Sequence, residues 1–89
     1  MISSYHFRPG DLVTCIYEGM DLWPLPIDNL NNADAHLLNM LKPVDNISQH
    51  DVCILLYVAP GNNEYDSTLV LTPRRKIGWH RQMYFKKIT

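Results

Sequence analysis

Asp51-Val52-Cys53-Ile54-Leu55-Leu56-Tyr57-Val58-Ala59 holds the most apolar run of the chain: eight apolar residues follow one aspartate. The run is rich in β-branched and aromatic residues, so it reads as a strand. It does not alternate, and a strand that is apolar on both sides has to be covered on both sides. One face meets the core of a small β domain. The other has two candidate covers, the segment 30–41 of the same chain or a partner chain.

Punctuation on either side of the run supports a chain of short strands. Pro60-Gly61-Asn62-Asn63 is a turn signal, which Glu64 to Ser67 can lengthen. Thr68-Leu69-Val70-Leu71-Thr72 is a short strand, Pro73-Arg74-Arg75-Lys76 a charged turn, and Lys76-Ile77-Gly78-Trp79-His80 a further strand. Arg81-Gln82-Met83-Tyr84 breaks the alternation and suits one tight helical turn, and Phe85-Lys86-Lys87-Ile88 closes as a last strand. Upstream, Phe7-Arg8-Pro9-Gly10-Asp11 is a turn, because Pro fixes φ, Gly permits positive φ and Asp caps. Leu12-Val13-Thr14-Cys15-Ile16-Tyr17 is the first strand, ended by Gly19. The two prolines of Trp23-Pro24-Leu25-Pro26 remove backbone donors, so this piece is an extended loop. In 28–41, Leu30, Ala33, Leu37, Leu38 and Leu41 recur near helical spacing and Pro43 stops the pattern. A short helix is expected there; a long irregular loop with buried leucines is the competing reading.

The sum is mainly β: one domain over 1–89, a small barrel or roll of about five strands, with a long insertion (about 18–50) after the first strand. Pro9-Gly10-Asp11-Leu12-Val13 at the start resembles the entry of small Src-homology-3-like barrels of tailed phages and bacteria. Ile77-Gly78-Trp79-His80, Arg81-Gln82-Met83-Tyr84 and Phe85-Lys86-Lys87-Ile88 resemble their ending, a strand, one 3₁₀ turn and a last strand closing on the first. The resemblance covers roughly the first 17 and last 40 residues and leaves 18–50 unmatched. It implies the barrel and an accessory or virion role. The aromatic ligand groove of the signalling domains of that class does not map onto this chain, so proline-motif binding is not implied.

Composition narrows the classes further. Of 89 residues, 46% are hydrophobic and 19% charged, too apolar for a disordered tail. Such a domain buries only about 60% of the surface of its unfolded chain, so its margin of stability is small. The net charge of −1 conceals a division. All nine acids lie before residue 67, with only Arg8 and Lys42 beside them, which makes residues 1–66 carry −7. Residues 67–89 hold six bases and no acid, +6. No segment nears the roughly 20 apolar residues of a membrane span, and the N-terminus lacks an apolar signal region. A cytoplasmic protein is expected, of the host cell or the virion if phage-encoded, and not a secreted one. Cys15 and Cys53 form no CxxC pair and read as small buried hydrophobes in strands. The Asn46-Ile47-Ser48 sequon carries no weight without export.

Candidate chemistry is sparse. His6, His36, His50 and His80 form no HxH or i, i+4 pair, so no metal site is expected. A cysteine inside an apolar strand has a raised pKa, the opposite of an activated nucleophile. No phosphate-binding glycine pattern occurs among four glycines. No catalytic residue, metal, cofactor or small-molecule substrate is therefore expected.

Two surfaces remain. Arg74, Arg75, Lys76, Arg81, Lys86 and Lys87 interleave with Trp79, His80, Tyr84 and Phe85. That basic patch reads as the solvated side of two strands, with Ile77, Trp79, Phe85 and Ile88 turned to the core. It also reads as a surface docking on acidic protein, or as a nucleic-acid site. The −7 elsewhere opposes the last. Trp23, Leu25 and Ile27, with Leu37 and Leu41, are candidates for an interaction arm, or else a lid over an open barrel end. The expected function is a non-enzymatic structural or interaction protein that docks on itself or a larger assembly. A nucleic-acid module built on the basic strands is the alternative.

Overall fold

The computed structural model describes residues 7–26, 40–58 and 67–88. Its elements are β1 (Leu12–Cys15), β2 (Met20–Leu22), β3 (Asp45–Ile47), β4 (Cys53–Val58), β5 (Ser67–Leu71), β6 (Ile77–Arg81), a 3₁₀ turn (Gln82–Tyr84) and β7 (Phe85–Lys87). The protein is mainly β. Five strands form one antiparallel sheet in the order β6-β5-β4-β1-β7, and β2 pairs with β3 in a second, two-stranded sheet. β4, β5 and β6 follow one another as a meander. β1 lies on the far side of β4, and β7 returns to close on β1 with Cys15 opposite Phe85. No ladder joins β6 to β7 among the described residues. The helix expected within 28–41 falls almost wholly on 27–39, outside the described residues.

The start of the roll follows from its turn residues. Asp11 accepts the Arg8 N–H at 2.8 Å through Oδ2 and donates its own N–H to the Arg8 carbonyl at 3.0 Å. Gly10 sits at φ +95°, where a side chain is strained, and its N–H reaches the Leu55 carbonyl at 2.7 Å. The turn is thereby stitched to β4 before β1 begins.

The core is Val13, Cys15, Met20, Leu22, Ile47, Cys53, Leu55, Val70 and Phe85. Both cysteines are buried and free, as small strand hydrophobes are. β2 and β3 form a cover over one end. Met20, Leu22 and Ile47 face down into the core, while Asp21 and Asn46 face outward; Asp45, opposite Leu22, is on the inner side at its edge. Gly78 is what lets this cover sit close to β6. A Cβ built there would stand 2.6 Å from Leu22 Cβ and 2.7 Å from Val44 Cγ2. Two backbone hydrogen bonds between Trp23 and Trp79, 3.0 and 2.8 Å, join the end of β2 to β6. The second sheet therefore continues the first beyond β6.

This contact corrects the expected register of β6. Gly78 is buried, whereas Ile77 is exposed and Trp79 half-buried. Ile88 is also exposed, and of the four residues expected to face the core only Phe85 does so. The glycine occupies the core side because no side chain fits beneath the β2–β3 pair.

A buried hydroxyl in β5 carries a cost. Thr68 Oγ1 finds no hydrogen-bond partner among the described residues, although the residue is fully buried. An unsatisfied buried hydroxyl costs about 1–3 kcal/mol, whereas an apolar group of the same shape carries no such penalty. Thr68→Val is expected to raise the unfolding free energy by about 1 kcal/mol in urea titration. A loss of stability would mean that the hydroxyl is in fact bonded.

Candidate interaction surface

The apolar run splits between two environments. Cys53 and Leu55 enter the core, and Ile54 and Leu56 point the other way. The pairing of β4 with β5 then shifts register between Leu55 and Tyr57, and the irregularity leaves Leu56 and Tyr57 both at the surface. The outer face of β4 is thus exposed among the described residues; of its two candidate covers, segment 30–41 lies almost wholly outside them.

That opening extends across the sheet. Leu12 stands opposite Ile54, Ile54 opposite Leu71, and Leu71 opposite Ile77. The Ile88 N–H bonds the Leu12 carbonyl at 2.9 Å, which adds β7's end to the row. Four strands and the residue after β7 therefore contribute one apolar side chain each to a continuous cross-strand line. Leu12 is 46% exposed, Ile54 41% and Ile77 54%; Leu71 is half-buried. One step along the strands lie Tyr57, Leu69 and Trp79, with Tyr57 and Trp79 in edge-to-face contact at 5.8 Å. A contiguous exposed apolar row of this kind is what marks interaction sites on small proteins.

The basic residues divide into spent and unspent charges. Arg74 leaves the β5–β6 turn to bond Asp45 at 3.0 Å and Asp51 at 2.9 Å, and its guanidinium also reaches the Asn46 carbonyl. It clamps β3 and the start of β4 to the meander. Hydrogen bonds from Arg74 hold the Asp51 carboxyl below its ordinary range. Burial works to raise Asp45, but hydrogen bonds from Arg74 and Thr72 prevail and lower it. Both carboxylates in turn raise Arg74. Lys87 bonds Asp11 at 3.3 Å. Part of the sequence's charge division is therefore internal complementarity. Arg75, Lys76 and Lys86 are exposed and make no ion pair among the described residues. Arg75 holds φ +63°, an uncommon angle for a side-chain-bearing residue. Arg81 is half-buried.

The other candidates are scattered. Trp23 is half-buried in its bridge to β6, Leu25 is exposed, and Leu41 is half-buried. Ile27 and Leu37 lie outside the described residues. The structure does not bring Trp23, Leu25 and Leu41 into the buried core cluster. An aromatic group runs from the β1–β2 turn to the 3₁₀ turn: Tyr17 meets Tyr84 edge-on at 5.6 Å, and Tyr84 meets His80 at 4.8 Å. His80 Nδ1 accepts the Arg81 N–H at 2.8 Å. Burial, reinforced by the charge of Arg81, lowers His80 to about 4.

Burial pushes the Cys53 thiol up to about 11 and raises Cys15 too, so neither is poised as a thiolate. No group of three or more metal-ligating side chains occurs among the described residues, and no helix there is long and apolar enough to cross a membrane. The residues that sequence reasoning missed are Leu12, Ile54, Leu71, Ile77 and Ile88. For Ile54 the signal was present in the unalternating run, because a strand of a single sheet can give only half its side chains to one core; the other four are identified by the cross-strand row that runs through it.

No protein-family model, characterised protein or solved structure matches this chain.

Proposed function

We propose that this chain is a non-enzymatic structural or interaction protein, docking on itself or on a larger assembly through the outer face of its five-stranded sheet. The observation that carries the reading is the apolar line Ile88–Leu12–Ile54–Leu71–Ile77, which has no role in the monomer's core. The return of β7 onto β1 after one 3₁₀ turn supports the Src-homology-3-like resemblance; an accessory or virion role in a phage rests on analogy with barrels of that kind alone.

Ile54→Lys tests the reading. Ile54 is exposed, so the change is expected to move stability by less than about 0.5 kcal/mol. Wild type and variant serve as tagged baits under crosslinking in cells. A partner, another copy included, recovered by the wild type and lost by Ile54→Lys supports the surface. Equal recovery by both, or by neither, overturns it.

The unpaired cations of the β5–β6 turn favour a second reading, nucleic-acid binding. It predicts binding to oligonucleotides at low salt that is lost when Arg75 and Lys76 become Ala. With Arg74 and Lys87 engaged in ion pairs, fewer phosphate ligands remain than the sequence offers.

A further inference from the structure

We infer that the occupant of the outer face is a second copy of this chain, presenting its β1–β2 turn, so that copies associate head to tail. This rests on the outer face being a docking surface.

The argument is one of complementary chemistry on two separate patches. The outer face is apolar along Leu12, Ile54, Leu71 and Ile77. The unpaired charges nearest it are positive: Arg75 and Lys76 beside Ile77, and Lys86 two residues before Ile88. The carboxylates at its border, Asp11 and Asp51, are held by Lys87 and Arg74. A second copy laid face to face would set these cations against one another. Like charges so placed oppose a two-fold arrangement.

The β1–β2 turn has the opposite character. It follows the far end of β1, its backbone held by Tyr84 and Gln49, with Ile16 and Tyr17 exposed and Glu18 beside them. Glu18 Oε1 accepts the Gln49 N–H, and Asp21 Oδ1 accepts an amide N–H from Asn46. Neither makes an ion pair among the described residues. The turn thus offers two exposed apolar side chains with the unneutralised carboxylate of Glu18, and the half-buried Asp21 of β2 adds a second beside it. That is the counterpart of an apolar line flanked by cations. Because the two patches differ and lie at different ends of the strand, the contact is heterologous and each copy keeps one patch of each kind free.

Sedimentation velocity over a hundredfold range of concentration tests this. The weight-average mass is expected to climb without a plateau at two chains, and the climb is expected to fall about tenfold or more between 50 mM and 1 M salt. Two variants separate the patches: Ile54→Glu/Ile77→Glu removes the face, and Ile16→Lys/Glu18→Lys removes the turn. Circular dichroism and thermal unfolding identify whether each remains folded; single changes at Ile77 and Ile16, both exposed, substitute for any pair that does not. Each variant alone is expected to be monomeric, while a one-to-one mixture forms a pair and nothing larger, since one intact face meets one intact turn. A wild type that stays at the mass of one chain overturns the inference. So does a plateau at two chains, or a mixture that fails to pair. If a different protein is captured by the wild type and lost by Ile54→Lys, the docking surface stands while the head-to-tail inference falls.

Discussion

Gly78→Ala is expected to lower the unfolding free energy by about 3 kcal/mol, the upper end of the usual cost of overpacking. Neither of the two close neighbours is the loose end of a long side chain. Leu22 Cβ, at 2.6 Å from the new methyl, is fixed to the backbone of β2, and Val44 Cγ2, at 2.7 Å, is stiff because valine is β-branched. The methyl is accommodated only if the β2–β3 pair lifts away. That strains the Trp23–Trp79 hydrogen bonds and loosens Met20, Leu22 and Ile47, all fully buried. Urea unfolding followed by tryptophan fluorescence reads the effect. A second change, Val44→Ala, removes one of the two clashes and is expected to restore part of the loss in the Gly78→Ala background. It restores less than all, because Leu22 Cβ stays in place. Additive behaviour of the two substitutions would show that Val44 and position 78 do not touch.

The second large effect is on pH dependence. His80 falls from 6.5 in the unfolded chain to about 4 in the fold, because burial and the neighbouring Arg81 disfavour its charged form. Between these values the unfolded chain binds the extra proton and the folded one does not. Stability is therefore complete above pH 6.5 and is lost as the pH falls towards 4, by about 3 kcal/mol in all. The lowered carboxylates Asp11, Asp45 and Asp51 act below this window. Their contributions are present above 3.8 and are lost only as the pH falls through their folded values. Unfolding free energies measured from pH 7 to 4 should thus decline before the acids begin to titrate. His80→Gln should flatten that decline, and an unchanged slope in the variant would reject His80 as its source.

Much of this architecture is legible in the residues. The 3₁₀ turn and the last strand follow from the break at Arg81-Gln82-Met83-Tyr84, and the first turn from Pro9-Gly10-Asp11. β2 and β3 were not legible. Three residues each, Met20–Leu22 and Asp45–Ile47, are too few to show a period, and their pairing joins positions 25 apart. The facing of β6 was misread for a related reason. Ile77 and Trp79 look like core residues by their chemistry, and only the close approach of Leu22 and Val44 explains why Gly78 takes that side. The candidate surface was half legible. The run 52–59 announced an excess of apolar side chains, but which of them stay outside depends on the register shift after Leu55. The basic cluster was legible as composition; its division into clamp and free charge depends on where the turn carries Arg74.

The pairing of Cys15 with Phe85 has a consequence for the order in which the molecule assembles. β1 is made first but meets its outer neighbour only when the final strand has been synthesised. A contact that spans nearly the whole described chain pays its loop-closure entropy late and slows folding. Until β7 docks, a chain can build the β4–β5–β6 meander and lay β1 against β4, with one edge of β1 bare. Any state in which residues 85–87 have not docked displays that unpaired edge to a neighbouring strand, so the docking of β7 determines when β1 becomes safe from edge-to-edge aggregation.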